Sequence, residues 1–379
     1  VPAQTADIVV IGAGMAGASA AAHLAERARV ILLEREAQPG YHSTGRSAAL
    51  FTETYGNLPV RLLTKASRDF YLAQAGGLAE HPILSPRGVL LYAPEEQLDE
   101  LDAAWQEMAP LDPALRRLDG AAAAALVPVL RPGAVRAAIL EPQAMDIDVH
   151  GLHQAYLRRL RRQGGRLICD APVTALARRG RAWTAATPAG EFAAPVVVNA
   201  AGAWADEVAG LAGLPPIGLV PKRRTALIVP PPAGIEVSAW PMVIDVGETG
   251  YFKPDAGKLL VSPADETPVP PCDAQPEELD VAVAIDRLTR VTVLEVKRVE
   301  RRWAGLRSFV ADKTPVNGFD PLAEGFFWLA AQGGYGIQTA EGMAQTAAGL
   351  IAEGRLPARI AGFGLDAAVL SPARIAGRG

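Results

Sequence analysis

The sequence predicts an α/β fold: a Rossmann-type parallel-sheet domain interleaved with an α+β part built on an antiparallel sheet. Three observations predict it. A glycine fingerprint lies between two short apolar strands near the N-terminus. The pattern of an apolar strand running into glycines returns at residues 195–204 and 325–339. Between these, residues 215–311 alternate short strands with proline-rich turns and carry a single helix.

Ile8–Ile11 is a short β-branched run and reads as a buried parallel strand. Gly12, Gly14 and Gly17 follow in G-x-G-x-x-G spacing, and alanine-rich residues 16–27 read as a helix. In such a turn Gly12 permits the tight bend, Gly14 lets a pyrophosphate approach the backbone, and Gly17 lets helix pack close to strand. The helix N-terminus presents free N–H groups and the positive dipole end to phosphate. Residues 30–33 form the next strand, and Glu34, 17 residues beyond Gly17, ends it where a carboxylate can accept ribose hydroxyls.

A glycine- and hydroxyl-rich loop occupies residues 40–50. Residues 58–73 read as helix, 81–92 as strand with a Pro–Arg–Gly turn, 95–108 as helix, 115–132 as containing a short helix, and 134–141 as strand. Residues 148–163 form a helix with Asp148 as its cap, stopped by Gly164 and Gly165. Strands at 166–169, 173–178 and 183–187, with Phe192, make a small meander. Further strands are expected at 225–229, 250–253 and 258–262, with helices at 276–289 and 339–353. Dinucleotide-binding texture therefore falls in 1–83, 142–215 and 318–379, and a substrate-binding part in 84–141 and 216–317. A simple nicotinamide dehydrogenase usually carries one contiguous dinucleotide domain, so this division favours a flavin.

Composition narrows the function. Half of the 379 residues are apolar, and the formal charge is −4, which gives no reason to expect nucleic acid or an anionic membrane as partner. Cys169 and Cys272 are isolated, and five histidines form no ligand array, so no metal site is expected. His150 and His153 are expected as a surface pair. No apolar run reaches the roughly 18 residues of a membrane span, and the first strand begins too early for a signal peptide. The expectation is a cytoplasmic protein in a reducing compartment.

The segments YHSTGRSAA (41–49), VVNAAGAWAD (197–206), PKRR (221–224), WAGLRSFVAD (303–312) and AAQGGYGIQT (330–339) together resemble the FAD-dependent D-amino acid dehydrogenases and oxidases of the glutathione-reductase-like fold, and among them the bacterial D-arginine dehydrogenases. The resemblance implies FAD, held without a covalent bond. Gly12, Gly14, Met15, Ala16, Glu34 and Arg35 would hold its ADP half, with Val173 beside the adenine. Thr44, Gly45, Arg46, Ser47, Ala48 and Ala49 would run along pyrophosphate and ring, Gly202 and Trp204 would close the cleft, and Gly336, Ile337, Gln338 and Thr339 would bring a helix N-terminus to the flavin carbonyls. It further implies Arg224, Tyr251 and Arg307 as a clamp on a substrate carboxylate, Tyr55 as a lid, and Gly334 as a backbone contact to the substrate nitrogen. By composition alone Arg223, Arg301 and Arg302 read as surface charges.

The departures bear on the substrate. Where the D-arginine enzymes carry a glutamate and a histidine, this chain has Val89 and Leu50. Losing the acid predicts that neutral or apolar D-amino acids are preferred over D-arginine, with Glu53, in the lid loop, as an acid that could substitute. The expected reaction is hydride transfer from the α-carbon, giving a 2-oxo acid and ammonia, with electrons passed to a quinone or dye-like acceptor or to O2. Rival readings are a glycine- or sarcosine-type amine oxidase, a flavoprotein that senses a ligand without turnover, and a nicotinamide enzyme.

Overall fold

The computed structural model describes residues 3–375. Its central sheet orders Arg166–Ile168, Val30–Leu33, Ile8–Ile11, Val196–Asn199, Phe326–Ala330 and Val316–Phe319, the first five parallel and the last antiparallel. Alternate residues face opposite layers. Ile8, Val10, Val30, Leu32, Val198, Phe327 and Leu329 pack on the side of helices Met15–Leu24, Val149–Arg162 and Ala340–Glu353. Val9, Ile11, Ile31, Leu33, Val197, Phe326 and Trp328 pack on the opposite side, against Trp183, Ala185 and Phe192 of the meander. With both faces covered, these strands are continuous apolar runs without the alternation of a half-exposed sheet.

The fingerprint turn is held by close backbone approach. Gly12 has φ of 99°, and a Cβ on it would fall 2.5 Å from the Ala200 carbonyl oxygen. A Cβ on Gly17 would fall 1.8 Å from the carbonyl oxygen of Gly12. Asp148 caps its helix as read, accepting from the Gly151 amide at 2.8 Å, and the structure adds Asn57 as the cap of Leu58–Leu72 through the Val60 amide.

A second, larger sheet draws its strands from residues 84–141 and 216–317. Its longest pairing joins Val220–Val229 to Arg301–Phe309, antiparallel, with Lys222 opposite Arg307 and Arg224 opposite Gly305. The structure differs from the sequence expectation in two ways. Residues 81–92 give two strands that do not pair with each other. Leu84–Pro86 joins Met145–Ile147 in a small sheet, and Val89–Ala93 joins Ala137–Glu141 and Met242–Asp245 in the large one. Arg87, between them, is pinned by Asp146 at 2.7 Å and by the carbonyls of Ser238 and Trp240 at 2.7 and 2.9 Å, which fixes the crossover. The large sheet is also mixed, because Met242–Asp245 runs parallel to Val89–Ala93. Among the described residues no helix is long and apolar enough to cross a membrane.

The Gly17 contact generates a stability test. Its neighbour is backbone and cannot swing aside, so Gly17→Ala is expected to cost about 3 kcal/mol or more, read by urea unfolding; a variant as stable as the parent would contradict the close approach.

Candidate active site

The turns at the C-terminal ends of the parallel strands open into one cavity of about 460 Å³, bounded on its other side by the large sheet. This is where open α/β sheets place ligands. At one end Glu34 is buried. Its Oε2 accepts the Ala13 amide at 2.8 Å and its Oε1 accepts the Glu36 amide at 3.0 Å. Burial raises its pKa against those two hydrogen bonds. Trp204 forms a wall there, with the Arg35 guanidinium 4.8 Å from its ring centroid and the His42 ring 4.6 Å away. Val173 lines the same end.

Along the middle, Thr44 accepts the Met15 amide at 2.9 Å, joining the loop to the start of the first helix. Ser43 donates to the Leu306 carbonyl at 2.7 Å, and Trp303 Nε1 donates to the Arg46 carbonyl at 3.0 Å. The Arg46 side chain donates to the carbonyls of Ala274 and Ala304 at 2.9 and 3.1 Å and pairs with Asp273. It lines the cavity, yet its donors fasten the loop to the large sheet.

At the other end the large sheet supplies Arg224, Arg307 and Tyr251. Period-two alternation explains why Arg224 and not Arg223 is there: Lys222, Arg224 and Arg307 share one face of the paired strands, and Arg223 points to the other. Arg224 is partly engaged, donating to the Asp265 carbonyl at 2.9 Å and meeting Glu266 at 3.2 Å. Burial, with the neighbouring Arg307 charge, lowers its pKa. Arg307 has neither ion pair nor hydrogen bond among the described residues. Its guanidinium lies against Gly334, where a Cβ would fall 2.9 Å from Nη1. Burial works against its charge, but the phenols of Tyr251, Tyr55 and Tyr335 outweigh it and raise its pKa. For Tyr251, burial is overcome by Arg307 and Arg224, and the phenol falls below its usual value. For Tyr55 burial wins and the phenol is raised; its ring meets Tyr335 edge-on at 5.2 Å.

Of the residues singled out from sequence, Gly12, Gly14, Met15, Ala16, Glu34, Arg35, Thr44, Arg46, Ser47, Ala48, Val173, Gly202, Trp204, Gly334, Gly336 and Ile337 line this cavity together with Arg224, Tyr251 and Arg307, while Tyr55 packs beside it with Val60, Phe309 and Tyr335. Others stand behind its wall. The Gly45 amide bonds the Gly40 carbonyl, Ala49 packs into the helix-side core, Gln338 donates to Thr64 at 2.9 Å, and Thr339 donates to the Tyr335 carbonyl at 2.9 Å. Leu50 and Val89 pack in an apolar cluster with Ala48, Met242 and Tyr251. Glu53 pairs with Arg68 at 2.9 Å. Sequence reading gave no role to Tyr41, His42, Ser43, Gln332 or Ser308, which also line the cavity; the first three lie in the loop already marked by its glycines and hydroxyls.

Two sequence expectations are corrected. Arg223 is buried rather than a surface charge, and it pairs with Asp280 at 2.9 Å and with Glu277, on and beside the helix Glu278–Val291. His150 is exposed, but His153 is buried, with Nε2 2.9 Å from the Ala13 carbonyl. His153 belongs to the stripe that also buries Tyr156, Leu157 and Leu160, and helical spacing places it there.

Over residues 7–350 the chain matches the family described as FAD dependent oxidoreductase. It is 29% identical to the D-amino-acid oxidase of Streptomyces coelicolor over 351 residues, covering 91% of this chain and 96% of that one. It is 25% identical to the mitochondrial sarcosine dehydrogenase of Homo sapiens over 376 residues, covering 93% of this chain and 40% of that one, so the chain spans about two fifths of that relative's length. The fold superposes on glycine oxidase from Geobacillus kaustophilus with a TM-score of 0.85 at 23% identity, covering 99% of this chain and all of the other.

The Ala13 contact carries a pH test. Burial lowers the pKa of His153 from 6.5, so the unfolded chain takes up its proton first, and this contribution to stability is lost as pH falls from 6.5 through the folded-state value. His153→Gln keeps a donor without titrating and is expected to flatten the stability-against-pH slope between about pH 5 and pH 7 in denaturant titrations. An unchanged slope would contradict the assignment.

Proposed function

The chain belongs to the FAD-dependent oxidoreductase family, and from that premise we propose that it oxidatively deaminates D-amino acids, neutral or apolar ones in preference to D-arginine. The observation that carries this reading is Arg307: a half-buried guanidinium at the cavity wall whose side chain makes no ion pair or hydrogen bond among the described residues, facing phenols. A guanidinium with open donors offers a carboxylate ligand two parallel hydrogen bonds.

The cavity suits FAD. The glycine turn offers backbone where a side chain would block pyrophosphate, Glu34 stands one strand away for ribose, and the lining continues to Gly334, Gly336 and Ile337. FAD, when bound, supplies a two-electron acceptor for the α-hydrogen as hydride. Arg307 and Arg224 grip the substrate carboxylate, Tyr251 adds its hydroxyl, and the Gly334 carbonyl takes the substrate nitrogen. Tyr55 covers the acid and keeps water from it. The α-amine gives up its proton to solvent before oxidation, so no side-chain base is required. The imino acid is then hydrolysed by water to 2-oxo acid and ammonia. The proposed substrate part comprises 84–141 and 216–317, and the proposed FAD part comprises the remainder.

Leu50 and Val89, packed behind Tyr251 and Ala48, back the proposed pocket for the substrate side chain. A cationic side chain buried in this pocket costs several kcal/mol unless an acid is free to pair with it, and the acids nearby are engaged: Glu53 pairs with Arg68, and Glu141 accepts the Thr52 and Thr54 hydroxyls. The kinship with a sarcosine dehydrogenase favours a second reading, oxidation of a small secondary amine. Oxygen uptake with sarcosine against dye reduction with D-amino acids separates the two.

In a substrate panel with an artificial acceptor, kcat/KM for D-leucine is expected to exceed that for D-arginine by about tenfold or more; the reverse order would defeat the side-chain assignment. Arg307→Ala is expected to lower kcat/KM by about two to three orders of magnitude while the protein keeps its FAD absorbance, and full activity in that variant would remove the carboxylate clamp.

A further inference from the structure

Of the residues just before Tyr55, Thr52 and Thr54 are each fastened to other parts of the protein. The Thr52 hydroxyl donates to both carboxylate oxygens of Glu141, at 2.9 and 3.0 Å, and the Thr54 hydroxyl donates to Oε2 at 2.7 Å. The Thr52 carbonyl accepts from Gln338 at 3.4 Å, beside the glycine turn of the cavity, and the Thr54 carbonyl accepts from Arg61 at 2.9 Å. Beyond Tyr55, Gly56 has φ of 87°, and a Cβ there would fall 2.7 Å from Val60 and 3.3 Å from the Tyr335 ring. Both flanks of Tyr55 are therefore fixed, and Glu141 alone holds two of the residues before it.

Glu141 is 4% exposed and ends the strand Ala137–Glu141, directly opposite Val89. It has no cationic partner among the described residues. The charged groups that bear on it, Asp112 and Glu53, are both acids. A carboxylate buried without a cation adds little to stability for its own sake; here the two threonine hydroxyls satisfy it, and their placement is its evident consequence.

We propose that Glu141 is a positioning residue: by holding Thr52 and Thr54 it sets where the Tyr55 ring rests against Tyr335 at the Arg307 end of the site, and so how tightly the site closes on a carboxylate ligand. This rests on the carboxylate-binding reading of the site. Glu141 touches no ligand itself, so it acts on affinity more than on the chemical step.

The test is titration of the FAD-loaded protein with benzoate, followed by the change in flavin absorbance. Glu141→Gln is expected to weaken benzoate about tenfold, Tyr55→Phe by a similar factor, and the double variant no more than Tyr55→Phe alone, to within about twofold. With D-leucine as substrate, Glu141→Gln is expected to raise KM about tenfold with kcat changed by less than about twofold. Thr54→Val, which removes one of the bonds without touching the carboxylate, is expected to reproduce the direction and covers the case in which Glu141→Gln does not fold. Unchanged benzoate affinity in both Glu141→Gln and Thr54→Val would overturn the proposal and leave the clamp intact, as would losses that multiply in the double variant. A parent protein whose flavin spectrum ignores benzoate would overturn the carboxylate reading and the role built on it.

Discussion

A guanidinium at a cavity wall with no anion beside it is the constraint around which this structure is arranged. Arg307 is half-buried at the cavity wall, and no carboxylate among the described residues pairs with it, Glu248 bearing on it only without contact. The phenols of Tyr251, Tyr55 and Tyr335 face it. Several unrelated features become intelligible once that charge is accepted. Gly334 lacks a side chain because Arg307 occupies the space one would need. Arg224 is only partly engaged, and the Tyr251 phenol lies below its usual pKa because two cations face it. The register that sets Lys222 opposite Arg307 and Arg224 opposite Gly305 puts both guanidinium groups on one face of the sheet.

The second constraint is the joint between the two sheets. The dinucleotide turn belongs to the parallel sheet and the clamp belongs to the mixed one, so a ligand spanning them needs the two held in register. The loop at residues 40–48 does this: Thr44 bonds the first helix, while Ser43 and Arg46 bond the long strand that carries Arg307. Arg46 is better understood as a fastener between layers than as a free phosphate reader, because carbonyls and Asp273 occupy its donors.

The parts of the fold set by local chemistry were legible in the sequence. The fingerprint turn, its two strands, the capped helix at Val149–Arg162 and the helix Ala340–Glu353 follow from glycine spacing, continuous apolar runs and cap residues. What was not legible depends on pairing at a distance. Residues 81–92 have the composition of strand, but nothing local says that Leu84–Pro86 and Val89–Ala93 enter different sheets. Arg301–Phe309 is dense in charge and glycine at one end and hides its alternation, although that alternation positions Arg307. The burial of Arg223 and of His153 was available from strand and helix period but was masked by treating charge and histidine as surface features. The role of Glu141 was beyond reach, since its partners lie 87 and 89 residues away in the chain.

These features reduce to one claim: the cavity ends in an arginine fork awaiting an acid. The most direct measurement is a crystal structure of the FAD-loaded protein soaked with a D-amino acid product or a simple carboxylate. The account predicts carboxylate oxygens about 2.7–2.9 Å from the Arg307 nitrogens, with Arg224 and Tyr251 completing the grip. A ligand bound elsewhere, or Arg307 turned onto an acid of the protein itself, would contradict it.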